Sequence, residues 1–248
     1  YASARVSFKN ADRLIGFIEK RGYKLEWLIE THIHADHLSA APYIQAKLGG
    51  LIGIGNKIVA VQNTFGKIFN EGTDFRRDGS QFDHLFDDGE TYRIGTLQAT
   101  ALHTPGHTPA CMTHLIGDAA FVGDTLFMPD VGTARADFPG GDARTLYHSI
   151  KRIMGLPNET RLFMCHDYAP DNREIRWETT VEEERRLNIH IHDGMQEDAF
   201  VNMRISRDET LSMPRLILPA LQVNMRGGRL PEPDTDGRQY LRLPINYF

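Results

Sequence analysis

Three histidines and an aspartate lie within residues 31–37 (THIHADH) of this 248-residue sequence. They directly follow residues 27–29 (WLI), which have the apolar pattern of a short buried strand. On a strand these side chains would alternate between faces, and on a helix they would spread around the axis. A loop at a strand end can instead fold them around one point. Such a group of imidazole nitrogens with a carboxylate is typical of a site for a divalent transition metal.

Further potential ligands follow three other predicted strands. Residues 97–102, 119–122 and 161–165 have strand-like apolar patterns, and the chain then runs on to His107, Asp124 and His166, respectively. With His32, these positions are far apart in the chain, so only tertiary structure can bring them together. We expect them to meet along one edge of a sheet.

The first third of the sequence alternates predicted helices and strands, which indicates a layered α/β fold. Leu14, Phe17 and Ile18 predict the buried face of an opening helix that ends at Gly22. The segment 211–248 is rich in proline and glycine. We therefore expect an extended tail that packs on a single domain covering residues 1–248.

Composition excludes several classes of function. The net charge of −5, with both signs interspersed, argues against a nucleic-acid partner. No run of eighteen apolar residues is present in the sequence, so we expect no membrane span. The two cysteines, Cys111 and Cys165, are too few for a disulfide framework and favour a reducing cytoplasm. The sequence leaves open whether the protein forms a homodimer.

The order of these motifs resembles that of the metallo-β-lactamase superfamily: a His-x-His-x-Asp-His stretch, then Gly-His, then Gly-Asp, then a late histidine. The residues are His32, His34, Asp36, His37, His107, Asp124 and His166. The resemblance implies an α/β fold, a four-layer αββα sandwich with the site along the shared edge of its two sheets. It also implies that the opening strand pair of the family precedes Tyr1 and is lacking in this chain.

Finer features resemble the persulfide dioxygenase branch, and within it the bacterial β-lactamase-like proteins called Blh, which are linked to sulfide detoxification. The residues that carry this resemblance are 31–37, 103–108 with Cys111, Gly132, Arg135, Asp137 and Phe138, 166–168, and 182–188. The branch implies one non-haem Fe(II) per chain and the oxidation of glutathione persulfide, or a related small persulfide, by O₂ to sulfite and a thiol.

Carried over by position, the iron ligands are His32, His107 and Asp124. Two neutral imidazoles and one carboxylate on one face of Fe(II) leave positions open for a persulfide and O₂. The remaining members of the motif would then orient these ligands and a water network. They are His34, Asp36, His37 and His166.

The resemblance also implies substrate contacts, with one departure. Thr108 and Tyr168 match positions that contact glutathione, and Arg135 lies in a loop near the site. His190 stands where the glutathione-persulfide enzymes have an arginine that binds the substrate's carboxylate. A persulfide other than that of glutathione is therefore left open.

Two other readings use the same residues. In a binuclear zinc hydrolase of the glyoxalase II or lactonase type, one Zn(II) would be bound by His32, His34 and His107. Asp36, His37 and His166 would bind a second, with Asp124 bridging, and hydroxide would attack a thioester or lactone. Occupancy by one Zn(II) is also open, because zinc competes well for such ligands. A non-catalytic sulfur or metal sensor is the third alternative.

Overall fold

The computed structural model describes residues 4–247. The strand pair expected before Tyr1 lies outside the described residues. The chain divides into two compact units, one of residues up to 54, 58–85 and from 212 onward, and the other of residues 55–57 and 86–211. The single domain over residues 1–248 stays a prediction.

The elements in chain order include a 3₁₀ turn at Pro170–Asn172. The helices and strands are α1 (Lys9–Arg21), β1 (Trp27–Glu30), α2 (Ala41–Leu48), β2 (Leu51–Gly55), α3 (Ile58–Ile68), β3 (His84–Phe86), β4 (Thr91–Ile94), β5 (Leu97–His103), β6 (Met112–Ile116), β7 (Ala119–Phe121), α4 (Ala143–Met154), β8 (Arg161–Phe163), β9 (Glu178–Thr180), α5 (Val181–Leu187), α6 (Glu197–Asp208) and α7 (Ile217–Asn224).

The first unit contains a sheet in which β1 and β2 pair in parallel, with Ile29 opposite Gly53. Parallel pairing needs a crossover between the strands, and α2 lies in that connection. The carboxyl end of β1 therefore opens into the histidine loop, residues 31–38. This is the strand-then-loop arrangement that the sequence predicted.

Helix α1 buries a different face from the one predicted. Ala11 and Ile15 are buried and pack with Ile44 of α2, whereas Leu14 and Phe17 are about half exposed. Apolar residues at 14, 15, 17 and 18 cover more than one side of the helix, so periodicity could not select the buried one. The predicted end of α1 is confirmed, because Gly22 adopts the left-handed conformation of a helix C-cap.

The tail also differs from its prediction. The segment 211–248 was expected to be extended, but Ile217–Asn224 form the buried helix α7. Pro219 lies in the first turn, where a missing backbone N–H costs no helical hydrogen bond. Most of α7 is apolar and buried on every side, and this stabilises a helix in a proline-rich stretch.

The second unit contains a sheet with the strand order β4-β5-β6-β7-β8-β9. The sequence predicts two hairpins, residues 92–102 around Gly95 and residues 112–122 around Gly117-Asp118. Both are confirmed, since β4 pairs with β5 and β6 with β7 in antiparallel fashion. Strand β8 runs parallel to β7, and α4 lies in the connection between them. The spacing of Leu146, Ile150 and Ile153 predicts the buried face of a helix, and all three are fully buried in the core of this unit.

The sequence predicts Asp142 as a helix cap and a capping box that begins at Thr180, and both residues begin helices of the second unit. The carboxylate of Asp142 accepts a hydrogen bond from the Thr145 amide at 2.7 Å, and the Thr180 hydroxyl accepts one from the Glu183 amide at 3.2 Å. No sequence pattern predicts the short strands β3 and β9 or helix α6. Among the described helices, none is long and apolar enough to cross a membrane.

The corrected face of α1 can be tested by truncating neighbouring side chains. Ile15→Ala removes a buried side chain, so we expect a loss of about 2–4 kcal/mol in the free energy of unfolding, measured with urea. Leu14→Ala is the matched control and should change it by less than about 0.5 kcal/mol, because Leu14 is 48% exposed. The reverse ranking would contradict the packing of α1 described above.

Candidate metal centre

Glu30, the last residue of β1, organises the histidine loop from one side. Its carboxylate lies 3.3 Å from Nε2 of His34 and accepts a hydrogen bond from the Ser39 hydroxyl. Burial by itself would raise the pKa of Glu30, but the hydrogen bond and charge of His34, with smaller contributions from Ser39 and His37, hold that pKa below its ordinary value. Glu30 is therefore an ionised acceptor beside His34.

This contact determines which nitrogen of His34 can bind a metal. A carboxylate accepts hydrogen bonds, so it places the proton of the neutral ring on Nε2 and leaves the lone pair on Nδ1. One ligand atom each from His34, Asp36 and His37 lie within 4.8 Å of one another. The ring of His32 packs against that of His34 with centroids 4.2 Å apart. The first unit thus presents several metal-ligand atoms in one loop.

Asn224, at the end of α7, holds the backbone of the same loop. Its side-chain amide donates to the carbonyl oxygens of His34 and His37, each at 2.8 Å, and its oxygen accepts from the Ser39 amide at 2.8 Å. Asn224 is only 3% exposed. No sequence signal indicated this role, because the partners are more than 180 residues apart and the tail was not predicted to be helical.

Replacing the donor nitrogen of Asn224 by oxygen should damage the histidine loop. In Asn224→Asp the buried carbonyl oxygen of His34 and the partly buried one of His37 would face a carboxylate, so we expect a loss of roughly 1–3 kcal/mol in the free energy of unfolding. Asn63→Asp makes the same change at an exposed position of α3 and serves as the control. Urea unfolding at pH 7 measures the stability of both variants. Equal losses of stability would refute the role of Asn224 in holding the histidine loop.

Gly106 controls the turn that presents His107 in the second unit. Its φ of 135° is accessible mainly to glycine, and a Cβ atom there would lie 2.3 Å from the Cα of Leu146. The Asp142 amide donates to the Gly106 carbonyl oxygen at 2.9 Å, which ties the turn to the start of α4. The turn before His107 is therefore packed directly on a core helix.

The tautomer of His107 is set by a backbone carbonyl. Nδ1 of His107 lies 2.8 Å from the carbonyl oxygen of Arg135. A carbonyl oxygen only accepts, so Nδ1 carries the proton and Nε2 carries the lone pair that a metal requires. His107 is 6% exposed, and its ring also contacts that of Phe138 edge-on.

Asp124 lies between two histidines of the second unit. One carboxylate oxygen is 3.9 Å from Nε2 of His107, and the other is 3.6 Å from Nε2 of His166. These separations exceed a hydrogen bond and are close to the roughly 3.4 Å between two ligands that each lie about 2.1 Å from one tetrahedral metal. The spacing fits a shared divalent cation.

The predicted ligands therefore divide between the units. The second unit brings together His107, Asp124 and His166, all of which the sequence had selected. His32 and the rest of its loop belong to the first unit. Within the second unit, the lone pair of His107 and the carboxylate of Asp124 fit a transition metal. The predicted set of His32, His107 and Asp124 stays a prediction.

The predicted substrate residues have varied surroundings. Arg135 forms a two-point ion pair with Asp137, with nitrogen–oxygen distances of 2.6 and 2.7 Å. The Thr108 hydroxyl lies 3.1 Å from Sγ of Cys111, and burial raises the pKa of that thiol to about 12. Tyr168 is 66% exposed, and its ring lies parallel to that of His166. Their contacts with a substrate stay predictions.

His190, a further predicted substrate residue, is buried in the second unit. It is 6% exposed, and its Nδ1 accepts a hydrogen bond from the Thr133 amide at 3.0 Å. Burial, with smaller effects from Arg204 and Arg207, lowers the pKa of His190 to about 4, so the ring is neutral at pH 7. These contacts hold the loop at Thr133, and a contact of His190 with a substrate stays a prediction.

Asn188 supports the same loop from α5. Its amide nitrogen donates to the Gly132 carbonyl oxygen at 3.1 Å and to the Glu184 carboxyl group at 2.6 Å, while its oxygen accepts from the His190 amide at 2.9 Å. Glu184 is fully buried, and this burial raises its pKa to about 8. Glu184 is therefore mostly protonated at pH 7.

The raised pKa of Glu184 predicts a pH-dependent stability. Between about pH 4.5 and 8 the folded protein retains a proton that the unfolded chain releases, so stability falls as pH rises. Glu184→Gln is neutral at every pH, and its free energy of unfolding relative to wild type should rise by roughly 1 kcal/mol per pH unit between pH 5.5 and 7.5. Glu182→Gln, on the exposed side of α5, is the control; the same pH-dependent gain there would contradict this account.

Arg173 braces the loop that carries Tyr168. Its guanidinium binds Asp167 at 2.6 and 2.8 Å and Asp130 at 2.7 Å. These bonds hold the pKa of Asp167 low, at about 2. Ala169 has a φ of 41°, which is strained for a residue with a side chain and is typical of backbone held by its surroundings at functional sites.

Most of the chain matches one known protein family. Residues 7–166 match the model of the metallo-β-lactamase superfamily. The chain belongs to the metallo-β-lactamase superfamily of metal-dependent enzymes, and the fold predicted from the motif order is confirmed.

Several proteins with different names are similar to this chain. The chain is 55% identical over 254 residues to a protein of Burkholderia pseudomallei named "Probable metallo-hydrolase" (98% of this chain, 86% of that one). It is 49% identical over 250 residues to glyoxylase B2 of Dictyostelium discoideum (99% and 85%). It is 31% identical over 223 residues to the human mitochondrial persulfide dioxygenase ETHE1 (89% and 76%).

One solved structure supports the same relationship. ETHE1 from Myxococcus xanthus superposes with a TM-score of 0.72 at 27% identity, covering 90% of this chain and 86% of that one. β-Lactamase hydrolase-like proteins are also similar, and the one from Xylella fastidiosa is 50% identical over 244 residues, 98% of this chain. The chain spans only 56% of the length of that relative.

Proposed function

We propose that the protein is an iron-dependent persulfide dioxygenase. It would convert a small persulfide, O₂ and water into a thiol, sulfite and two protons. Glutathione persulfide is the first substrate to test, and a related low-molecular-weight persulfide is the second. The predicted ligands His32, His107 and Asp124 would hold one Fe(II) per chain.

The observation that carries this proposal is the burial of the potential ligands within each unit. His32 is 1% exposed, and His107 and Asp124 are 6% and 8% exposed. Asp36 and His37, which a second metal would need, are exposed and lie 3.3 Å from each other. When a metal leaves buried ligands, their polar atoms are left without water, which is unfavourable, so buried ligands favour tight metal binding. Exposed ligands become hydrated when the metal leaves and therefore hold it less tightly. The contrast supports one firmly held metal.

The residues around His107 suit this chemistry. When bound, Fe(II) with two neutral imidazoles and one carboxylate supplies open positions for a sulfur ligand and O₂. The Arg135 carbonyl holds the His107 proton on Nδ1, so the ring acts as a neutral ligand. Phe138 and the buried turn around Gly106 exclude water from this side of the ring.

Substrate recognition is proposed for residues near this centre. Tyr168 presents an exposed ring beside His166, and Thr108 lies one residue after His107. The guanidinium of Arg135 is already paired with Asp137, and His190 is buried and neutral. Neither residue therefore reproduces a cationic partner for a substrate carboxylate, which favours a persulfide smaller than that of glutathione.

A binuclear zinc hydrolase is the second candidate. The relationships to glyoxylase B2 and to a named metallo-hydrolase favour it, at higher identity than the relationship to persulfide dioxygenase. The Glu30–His34 contact also favours it, because it leaves the His34 lone pair on Nδ1. In this reading a metal-activated hydroxide attacks a thioester or lactone.

Metal stoichiometry and oxygen uptake, measured on the same samples, test the two candidates. Anaerobically iron-loaded protein should hold about one iron per chain, consume O₂ with a persulfide and form sulfite. Glutathione persulfide and a carboxylate-free alkyl persulfide are the substrates. Two zinc ions per chain, no oxygen uptake and turnover of S-lactoylglutathione or a lactone would overturn the proposal and establish the hydrolase.

A pair of variants sharpens this test. His107→Ala should abolish stoichiometric iron binding and oxygen uptake. His37→Ala should retain about one iron per chain and oxygen uptake within roughly tenfold of wild type, because the proposal places His37 outside the metal's ligand set. Loss of one of two bound metals in His37→Ala, with loss of thioester hydrolysis, is the signature of the binuclear alternative.

A further inference from the structure

Helix α6 carries a buried ion pair that no motif in the sequence singled out. Nε and Nη2 of Arg204 donate to one oxygen of Asp208 at 2.9 and 2.6 Å, one helical turn away. Arg204 is 1% exposed and Asp208 is 5% exposed. Burying two charges is unfavourable unless their remaining hydrogen-bonding atoms are also used, so those atoms indicate what the pair does.

The remaining contacts all go to one segment, residues 133–136, and one of them is from Nη1 of Arg204 to the Thr133 hydroxyl at 3.3 Å. Nη1 of Arg204 donates to the carbonyl oxygen of Thr133 at 3.1 Å. The second carboxylate oxygen of Asp208 accepts from the Ala136 amide at 2.8 Å. The pair is therefore hydrogen-bonded to the backbone on both sides of Arg135.

The carbonyl oxygen of Arg135 accepts a hydrogen bond from the proposed metal ligand His107. That oxygen lies 2.8 Å from Nδ1 of His107, and Nε2 of His107 lies 3.9 Å from the Asp124 carboxylate. Its side chain is held separately by Asp137. A shift of the 133–136 backbone would therefore move the acceptor of His107 directly.

We propose that Arg204 and Asp208 are positioning residues for the metal centre. They fix the Arg135 carbonyl, and this carbonyl sets the ring orientation and the tautomer of His107. The inference rests on the metal centre of the proposed function and is independent of which reaction that centre catalyses. It is distinct from a role in stability alone, because it requires an effect on His107 in protein that remains folded.

The main test replaces the pair by apolar side chains of similar volume. The double variant Arg204→Met, Asp208→Leu keeps the helix packed while removing the contacts to residues 133–136. Arg207→Met removes a positive charge from the exposed side of the same helix and is the matched control. Co(II) is titrated into metal-free protein in competition with a chelator, and its visible absorption reports the geometry of the bound ion.

We expect the double variant to stay folded with a lower urea midpoint, because the Thr133 carbonyl and the Ala136 amide lose buried partners. It should bind Co(II) about 10- to 100-fold more weakly and show an altered cobalt spectrum. The control should match wild type in all three. A folded double variant with unchanged affinity and spectrum overturns the proposal. Failure of the wild-type protein to bind Co(II) would instead refute the metal centre and with it the proposed function.

A second variant covers the case in which the double variant does not fold. Arg204→Lys keeps the charge beside Asp208, but one ammonium group cannot reproduce the fork that also reaches Thr133. ¹⁵N NMR of the His107 ring in metal-free protein reports its tautomer. Wild type should show the proton on Nδ1, and Arg204→Lys should show a mixture with the proton on Nε2. An unchanged tautomer together with unchanged Co(II) affinity overturns the proposal.

Discussion

The metal chemistry of this protein depends on where histidine protons are held. A neutral imidazole can bind a metal only through the nitrogen that lacks a proton, so each ligand needs an acceptor on its other nitrogen. The second unit supplies the Arg135 carbonyl for His107, and the first supplies the Glu30 carboxylate for His34. Both acceptors are built into the fold rather than supplied by solvent.

Buried polar contacts hold these acceptors in place. The backbone at residues 132–136 is bonded from α5 and the residues that follow it by Asn188 and His190, and from α6 by Arg204 and Asp208. Such a segment cannot shift without breaking several buried hydrogen bonds at once, and each break leaves a polar atom without water. The loop behaves as a rigid part of the core although it has no regular secondary structure.

Much of this organisation could be predicted from local sequence. The strand ends before His32 and His107, the Asp142 cap and the hairpins follow from short-range periodicity and turn chemistry, and they are found as predicted. The buried side of α1, the helical tail and the roles of Asn224 and Arg204 could not be predicted in this way. They depend on partners tens or hundreds of residues away, which local patterns do not contain.

The Asn224 contact has a consequence for the order of folding. The carbonyl oxygens of His34 and His37 receive their hydrogen bonds from a residue 190 and 187 positions later in the chain. During synthesis the ribosome must therefore complete α7 before the histidine loop can form all the hydrogen bonds of its final conformation. Contacts of such long separation are expensive in chain entropy and form late. A metal ion captured earlier would meet a flexible loop, so faithful loading belongs to the last stage of the protein's maturation.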